Sequence, residues 1–248
     1  MAIAPDPVVA RSPGVTYQEL LDIDTYPDRV PPVLRDVSWQ FLGDEDVPVS
    51  RYISREFHEI EKEKVWKRVW QMACRDEDIP EVGDTHVYDI CDISVLIVRS
   101  APDTIKAYFN ACLHRGRQLQ EQHGYASELR CPFHGYCWNL DGSLRTIPAG
   151  WDFPHVSPED FALPELRVGR WGGFVFVNMD ADCEPFEDFI GVLSHHFDKW
   201  PLDQRYKAAH VGRIFPTGPQ KEQEDVLQAG HVVRTHPPFL ASIGDANS

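Results

Sequence analysis

Two short pairs of metal-binding side chains constrain this chain more than any other feature. Cys112-Leu-His114 is followed, sixteen residues later, by Cys131-Pro-Phe-His134. Thiolates bind soft metals and neutral imidazoles suit iron, zinc or copper, so four such donors can close one site. Zinc fingers usually keep their two cysteines together and their two histidines together. Here each pair holds one of each. That order lets the two cysteines hold one iron and the two histidines a second, with the pairs at the tips of two facing loops.

His114-Arg115-Gly116 and Cys131-Pro132-Phe133-His134-Gly135 resemble the two loops of the Rieske motif, and Trp138 to Leu144 resembles the hairpin that follows it. The resemblance implies a [2Fe–2S] cluster on Cys112, His114, Cys131 and His134. Respiratory-chain Rieske proteins carry one further cysteine in each loop, joined as a disulfide. The corresponding positions here are Arg117 and Phe133, which excludes that bond. The pattern is similar to the Rieske centre of bacterial ring-hydroxylating oxygenases. Replacing two anionic thiolates by neutral imidazoles makes a cluster easier to reduce, at about −150 to +300 mV against about −400 mV for plant-type ferredoxins. The implied role is an electron relay and not the place where substrate reacts.

A chain of 248 residues can bury a full core. Its net charge of −15 argues against nucleic acid and against anionic membrane surfaces as partners. The start, Met-Ala-Ile-Ala-Pro-Asp, lacks the basic and apolar regions of a signal peptide, and no apolar run approaches the ~20 residues that span a bilayer. Beyond the two candidate ligands, Cys74, Cys91, Cys137 and Cys183 lack the tight spacing of a disulfide scaffold, so they read as reduced thiols in a cytoplasmic protein. Cys137, three residues past His134, reads as a free thiol beside the second loop.

Residues 1–49, rich in proline and acid, read as an extended arm with a short helix at Tyr17 to Ile23. Ser54 looks like an N-cap opening a helix through about Trp70. Strands are expected at Trp70 to Cys74, Thr85 to Ile90, Ile93 to Arg99, Ile105 to Asn110, Tyr136 to Asn139, Leu166 to Arg170 and Phe174 to Asn178, with a hairpin at Gly172-Gly173. Residues 186–200 show helical spacing of Phe186, Phe189, Ile190, Leu193 and Phe197. His195-His196 in that segment, and the isolated His58, His86, His123, His155 and His210, read as surface or packing residues.

A second signal, His231-Val-Val-Arg-Thr-His236, is weak alone. A spacing of five puts imidazoles about 140° apart on a helix, so sharing a metal needs the helix to end or bend between them. The oxygenase resemblance, extended by Ala208 to Pro216 and Ile243 to Asn247, implies two ligands of a mononuclear iron, completed in the family by a carboxylate. Gln228 stands where the family has an acid that bridges cluster and iron, and Gly218-Pro219-Gln220 replaces its Asn-Trp-Lys stretch. Glutamine still accepts a hydrogen bond but carries no charge. The substrate-pocket sheet and the acidic ligand of the family fall past Ser248, so the sequence is expected to be the N-terminal portion of an α subunit.

The expected fold is mainly β with helices (α+β). A Rieske-type antiparallel β-sandwich with an inserted cluster-binding subdomain spans residues 50–180. The connecting helix and the start of an α+β catalytic iron domain span 181–248. The resemblance implies an NAD(P)H-linked reductase or ferredoxin as donor, a homotrimer or other homo-oligomer, and an aromatic or other small organic substrate. A stand-alone Rieske electron carrier and an inactive fragment are the alternatives.

Overall fold

The computed structural model describes residues 17–35 and 46–211. The chain divides into two units, one of residues 1–55 and 213–248, the other Glu56–Gly212. In the first, the described residues form short helices at Tyr17–Asp22, Pro32–Arg35 and Ser50–Ile53. Arg35 donates to Asp22 Oδ1 at 2.6 Å, tying two of these together. The helix expected at Tyr17 is present; most of the arm around it lies outside the described residues.

The second unit is built on β1 (Gln71–Arg75), β2 (Asp84–Ile90), β3 (Ile93–Ala101), β4 (Thr104–Phe109), β5 (Gly124–Tyr125), β6 (Leu129–Arg130), β7 (Cys137–Trp138), β8 (Leu144–Thr146), β9 (Glu165–Trp171) and β10 (Phe174–Asn178). Seven strands pair in the order β1-β10-β9-β4-β3-β2-β5, and β6-β7-β8 form a small separate sheet. All pairings are antiparallel. β9 is the corner: Glu165 and Leu166 pair with β4, whereas Arg167 to Trp171 pair with β10. The large sheet therefore folds into two layers, and the Tyr88 hydroxyl bridges β2 to β1 by donating to Gln71 Oε1 at 3.1 Å.

The apolar run in β3 follows from this layering. Side chains alternate faces along a strand, so a strand buried on both sides reads as continuous hydrophobe. Val95 and Ile97 pack between the layers with Cys74, Ile105, Ala107, Leu166, Val175 and Val177. Leu96 and Val98 point the other way, into a second core with Tyr108, Leu119, Leu129, Tyr136 and Trp138. That second core carries the small sheet and both candidate loops.

Helical stretches are shorter than the sequence suggested. The helix expected from Ser54 to Trp70 is Arg55–Glu61 followed by a π turn at Lys62–Trp66. The chain leaves the helix early to enter β1, and side chains take over the freed carbonyls: Gln71 donates to Trp66 O and Asn178 to Arg68 O. Residues 186–200 hold two pieces, Phe186–Ile190 and Val192–His196, broken at Gly191. Phe186 is fixed by Trp70, their centroids 5.0 Å apart. His195 and His196 are exposed, as expected. The expectation of isolated histidines fails for His86 and His123. Their rings stack at 4.1 Å, and Val87 N–H donates to His123 Nδ1 at 3.1 Å.

Candidate metal centre

The two candidate loops are built alike. β4 leads to Cys112 and β6 to Cys131. In each loop the cysteine amide donates to the carbonyl five residues on: Cys112 to Arg117 O and Cys131 to Tyr136 O, both at 2.8 Å. The amide four residues on donates back to the cysteine carbonyl, from Gly116 at 2.8 Å and from Gly135 at 3.0 Å. Closing that turn requires left-handed backbone at the fourth position, and φ there is +73° at Gly116 and +76° at Gly135. The turn wraps amides around each sulfur. Those of His114 and Arg115 donate to Cys112, and those of His134 and Phe133 to Cys131.

The loops face one another. The Cys112 and Cys131 thiols are in hydrogen-bond contact. The His114 and His134 rings meet edge to face, 4.8 Å apart and inclined at 70°. Both cysteines are buried and both imidazoles exposed. Burial pushes the Cys112 thiol up. At Cys131 burial acts the same way, but the amides of His134 and Phe133, with Cys112 and Arg117, pull the thiol below its ordinary value. Thiolate is the form that ligates metal, and the amide cradle favours it.

Among the described residues no three His, Cys, Asp or Glu side chains converge as they would on a single ion. The donors instead form two pairs, sulfurs inside and nitrogens outside. Two pairs of unlike donors fit a binuclear [2Fe–2S] group with thiolates on one iron and imidazoles on the other. His231, His236 and Gln228 lie outside the described residues. Cys137 is buried, its sulfur 3.8 Å from Trp138 O and hydrogen-bonded to Glu128.

Residues that sequence reasoning passed over hold the loops in place. Asn110, fully buried, receives the amides of Leu119 and Gln120 on Oδ1 at 3.0 and 3.1 Å. Its Nδ2 donates to Gln120 O at 2.7 Å and Ser94 Oγ at 3.0 Å, closing the first loop at its stem. The Trp138 indole donates to Phe161 O at 2.7 Å, and Arg130 donates to Gly135 O at 3.2 Å. A polar residue at the end of an apolar strand, directly before a ligand loop, was the available signal for Asn110.

The Rieske [2Fe–2S] domain family matches residues 69–156, the span that holds both loops and the second core. The chain therefore carries a Rieske [2Fe–2S] domain. It is 33% identical over 188 residues to the large oxygenase component of salicylate 5-hydroxylase from Ralstonia sp., covering 70% of this chain and 44% of that protein. A quaternary ammonium Rieske monooxygenase solved with L-carnitine superposes with a TM-score of 0.71 at 24% identity, over 78% of this chain and 56% of that one. Naphthalene 1,2-dioxygenase from Rhodococcus sp. superposes with a TM-score of 0.57 at 30% identity, over 61% of this chain and 36% of that one. The chain is a relative of Rieske oxygenase α subunits, and it spans about half the length of the curated relatives it matches. No helix among the described residues is long and apolar enough to cross a membrane.

Proposed function

We propose that this chain is the electron-relay part of a Rieske oxygenase α subunit, with Cys112 and Cys131 holding one iron of the cluster and His114 and His134 the other. The observation that carries this reading is the repeated turn that sets two buried, touching thiols beneath two exposed imidazoles. Bound there, the cluster supplies one-electron exchange at about −150 to +300 mV. Four backbone amides stabilise the sulfur charge, and Leu119, Leu129 and Trp138 keep water from that side. The imidazole edges stay at the surface, where a hydrogen bond to a partner gives an electron its exit.

On the donor side this reading places an NAD(P)H-linked reductase or ferredoxin. On the acceptor side it places a mononuclear iron for dioxygen activation, held by His231 and His236, with Gln228 at the bridge position. Residues 1–49 are then an arm, 50–180 the Rieske domain and 181–248 the connection into the catalytic iron domain, in a cytoplasmic homo-oligomer. Relatives named for salicylate and carnitine support an aromatic or other small organic substrate for the whole enzyme. A stand-alone Rieske-type carrier is the second reading, favoured by the placement of both loops and their sheets in one unit.

The test is metal analysis with electron paramagnetic resonance. Purified protein is expected to hold one [2Fe–2S] group, with the low average g-value of mixed nitrogen–sulfur ligation once reduced. His134→Cys is expected to lower the potential by restoring an anionic ligand. Stoichiometric zinc without iron, or an all-sulfur spectrum from the unsubstituted protein, overturns the ligand assignment. Iron beyond the cluster, with dioxygen consumption and hydroxylated product, separates the oxygenase from the carrier.

A further inference from the structure

We infer that Tyr136 is a positioning residue for His114: its ring is a fixed backing that sets the plane in which that imidazole meets the metal. The inference rests on the ligand assignment proposed above. The Tyr136 and His114 rings are stacked, with centroids 4.8 Å apart and planes 5° from parallel. Tyr136 is 7% exposed and packs in the same core as Cys112, Cys131 and Trp138. Its carbonyl accepts the Cys131 amide, and β7 begins at the next residue. Packing in that core holds its ring, and the backbone contacts hold its Cα.

The imidazole it backs belongs to the other loop and is exposed. Rotation about the Cβ–Cγ bond of histidine is broad, so an imidazole held by one nitrogen needs a neighbour on its face to define its plane. Tyr136 is that neighbour for His114. His134 is placed differently: its ring partners are the edge of His114 and Phe133, the latter 4.0 Å away, tilted by 37° and itself 60% exposed. One imidazole thus has a buried aromatic backing and the other faces an exposed ring. The stack also ties the ligand of the first loop to the body of the second, so the loops are set as a pair.

The negative face of an aromatic ring attracts positive charge. An imidazole bound to oxidised iron is polarised more positively than one bound to reduced iron, so the stack favours the oxidised state. Loss of the ring is expected to raise the potential and to spread the orientations of the His114 imidazole.

The experiment compares the full chain with Y136F, Y136L and the packing control V177A, Val177 being fully buried in the other core, between the sheet layers. Each is measured for iron and sulfide, thermal stability, reduction potential, and nitrogen couplings by pulsed electron paramagnetic resonance. Y136F is expected to match the unsubstituted protein. Y136L is expected to raise the potential and broaden the histidine couplings, and V177A to lose stability with both unchanged. Wild-type potential and couplings in Y136L, or equal shifts in V177A, overturn the inference. Failure of the unsubstituted protein to bind iron and sulfide overturns the ligand assignment instead. Should Y136L not fold, protein grown with 3,5-difluorotyrosine weakens the ring's negative face with little change of shape. Its potential should rise, and should not rise in Y136F grown the same way; equal potentials overturn the inference.

Discussion

Asn110→Ala removes the side chain that closes the first loop, and the structure sets the size of the effect. Four hydrogen bonds are lost at once: two to Oδ1 from the Leu119 and Gln120 amides, and two from Nδ2 to Gln120 O and Ser94 Oγ. Leu119 is buried, so its orphaned amide costs about 1–3 kcal/mol. The other three groups are half-buried and reach water more easily, at about 0.5 kcal/mol each. The total is about 3–4 kcal/mol, a large share of the 5–15 kcal/mol that holds a typical domain. For a unit of this size that is a fall in Tm of about 10 °C. The loop that carries Cys112 and His114 is freed at its stem, so iron should also be lost to a chelator several-fold faster. Thermal unfolding by circular dichroism and bleaching of visible absorbance under chelator measure the two effects. Asn110→Asp keeps acceptors for both amides but loses both donors, and should fall between. A Tm within about 2 °C of the unsubstituted protein, with the same bleaching rate, would refute the clamp.

Gly116→Ala and Gly135→Ala each place a Cβ on left-handed backbone at a cost of about 1 kcal/mol. A Cβ at Gly135 also meets Pro148 Cγ at 3.3 Å, whereas at Gly116 nothing lies within 4 Å, so urea unfolding should rank Gly135→Ala as the more destabilised. Gly169→Ala puts a Cβ 2.3 Å from Phe186 Cγ, and the ring must leave β9, at about 1–3 kcal/mol. Its sign is a red shift of tryptophan fluorescence as Trp70 loses the Phe186 ring, and an unchanged spectrum counts against it. Burial, with His123 stacked beside it, lowers His86 to about 4 from an ordinary value of 6.5. The unfolded chain then takes a proton that the folded one refuses. Stability is full above pH 6.5 and falls as pH drops toward 4. The whole gap is worth about 3 kcal/mol, and with the ring only half-buried solvent screening reduces it to about 1–2 kcal/mol. Unfolding free energy measured against pH should lose that slope in His86→Phe.

What the sequence reveals and conceals about this fold divides along physical lines. β3 and β10 were legible because buried strands are written as unbroken runs of Val, Ile, Leu and Phe. β5, β6 and β8 were not, since two or three residues have no period and pair only because neighbours hold them. The helix after Ser54 was legible in its start but not its end, because the side chains of Gln71 and of the distant Asn178 donate to the carbonyls of Trp66 and Arg68. At the site, thiolate and imidazole declare themselves by chemistry. Asn110 and Tyr136 act through what the topology brings to them, and a single sequence shows only a polar strand end and an aromatic strand start. Cys137 is the instructive case. It lies only three residues past His134 and reads from the sequence as a free thiol, and successive strand residues point to opposite faces. Tyr136 and Trp138 both face the core behind the loops. A residue between two such neighbours must face away, and Cys137 does, toward Glu128 and the Arg130–Arg145 side of the small sheet. Alternation, once the structure puts Tyr136 and Trp138 on the core side, turns the Cys137 thiol away from the candidate ligands.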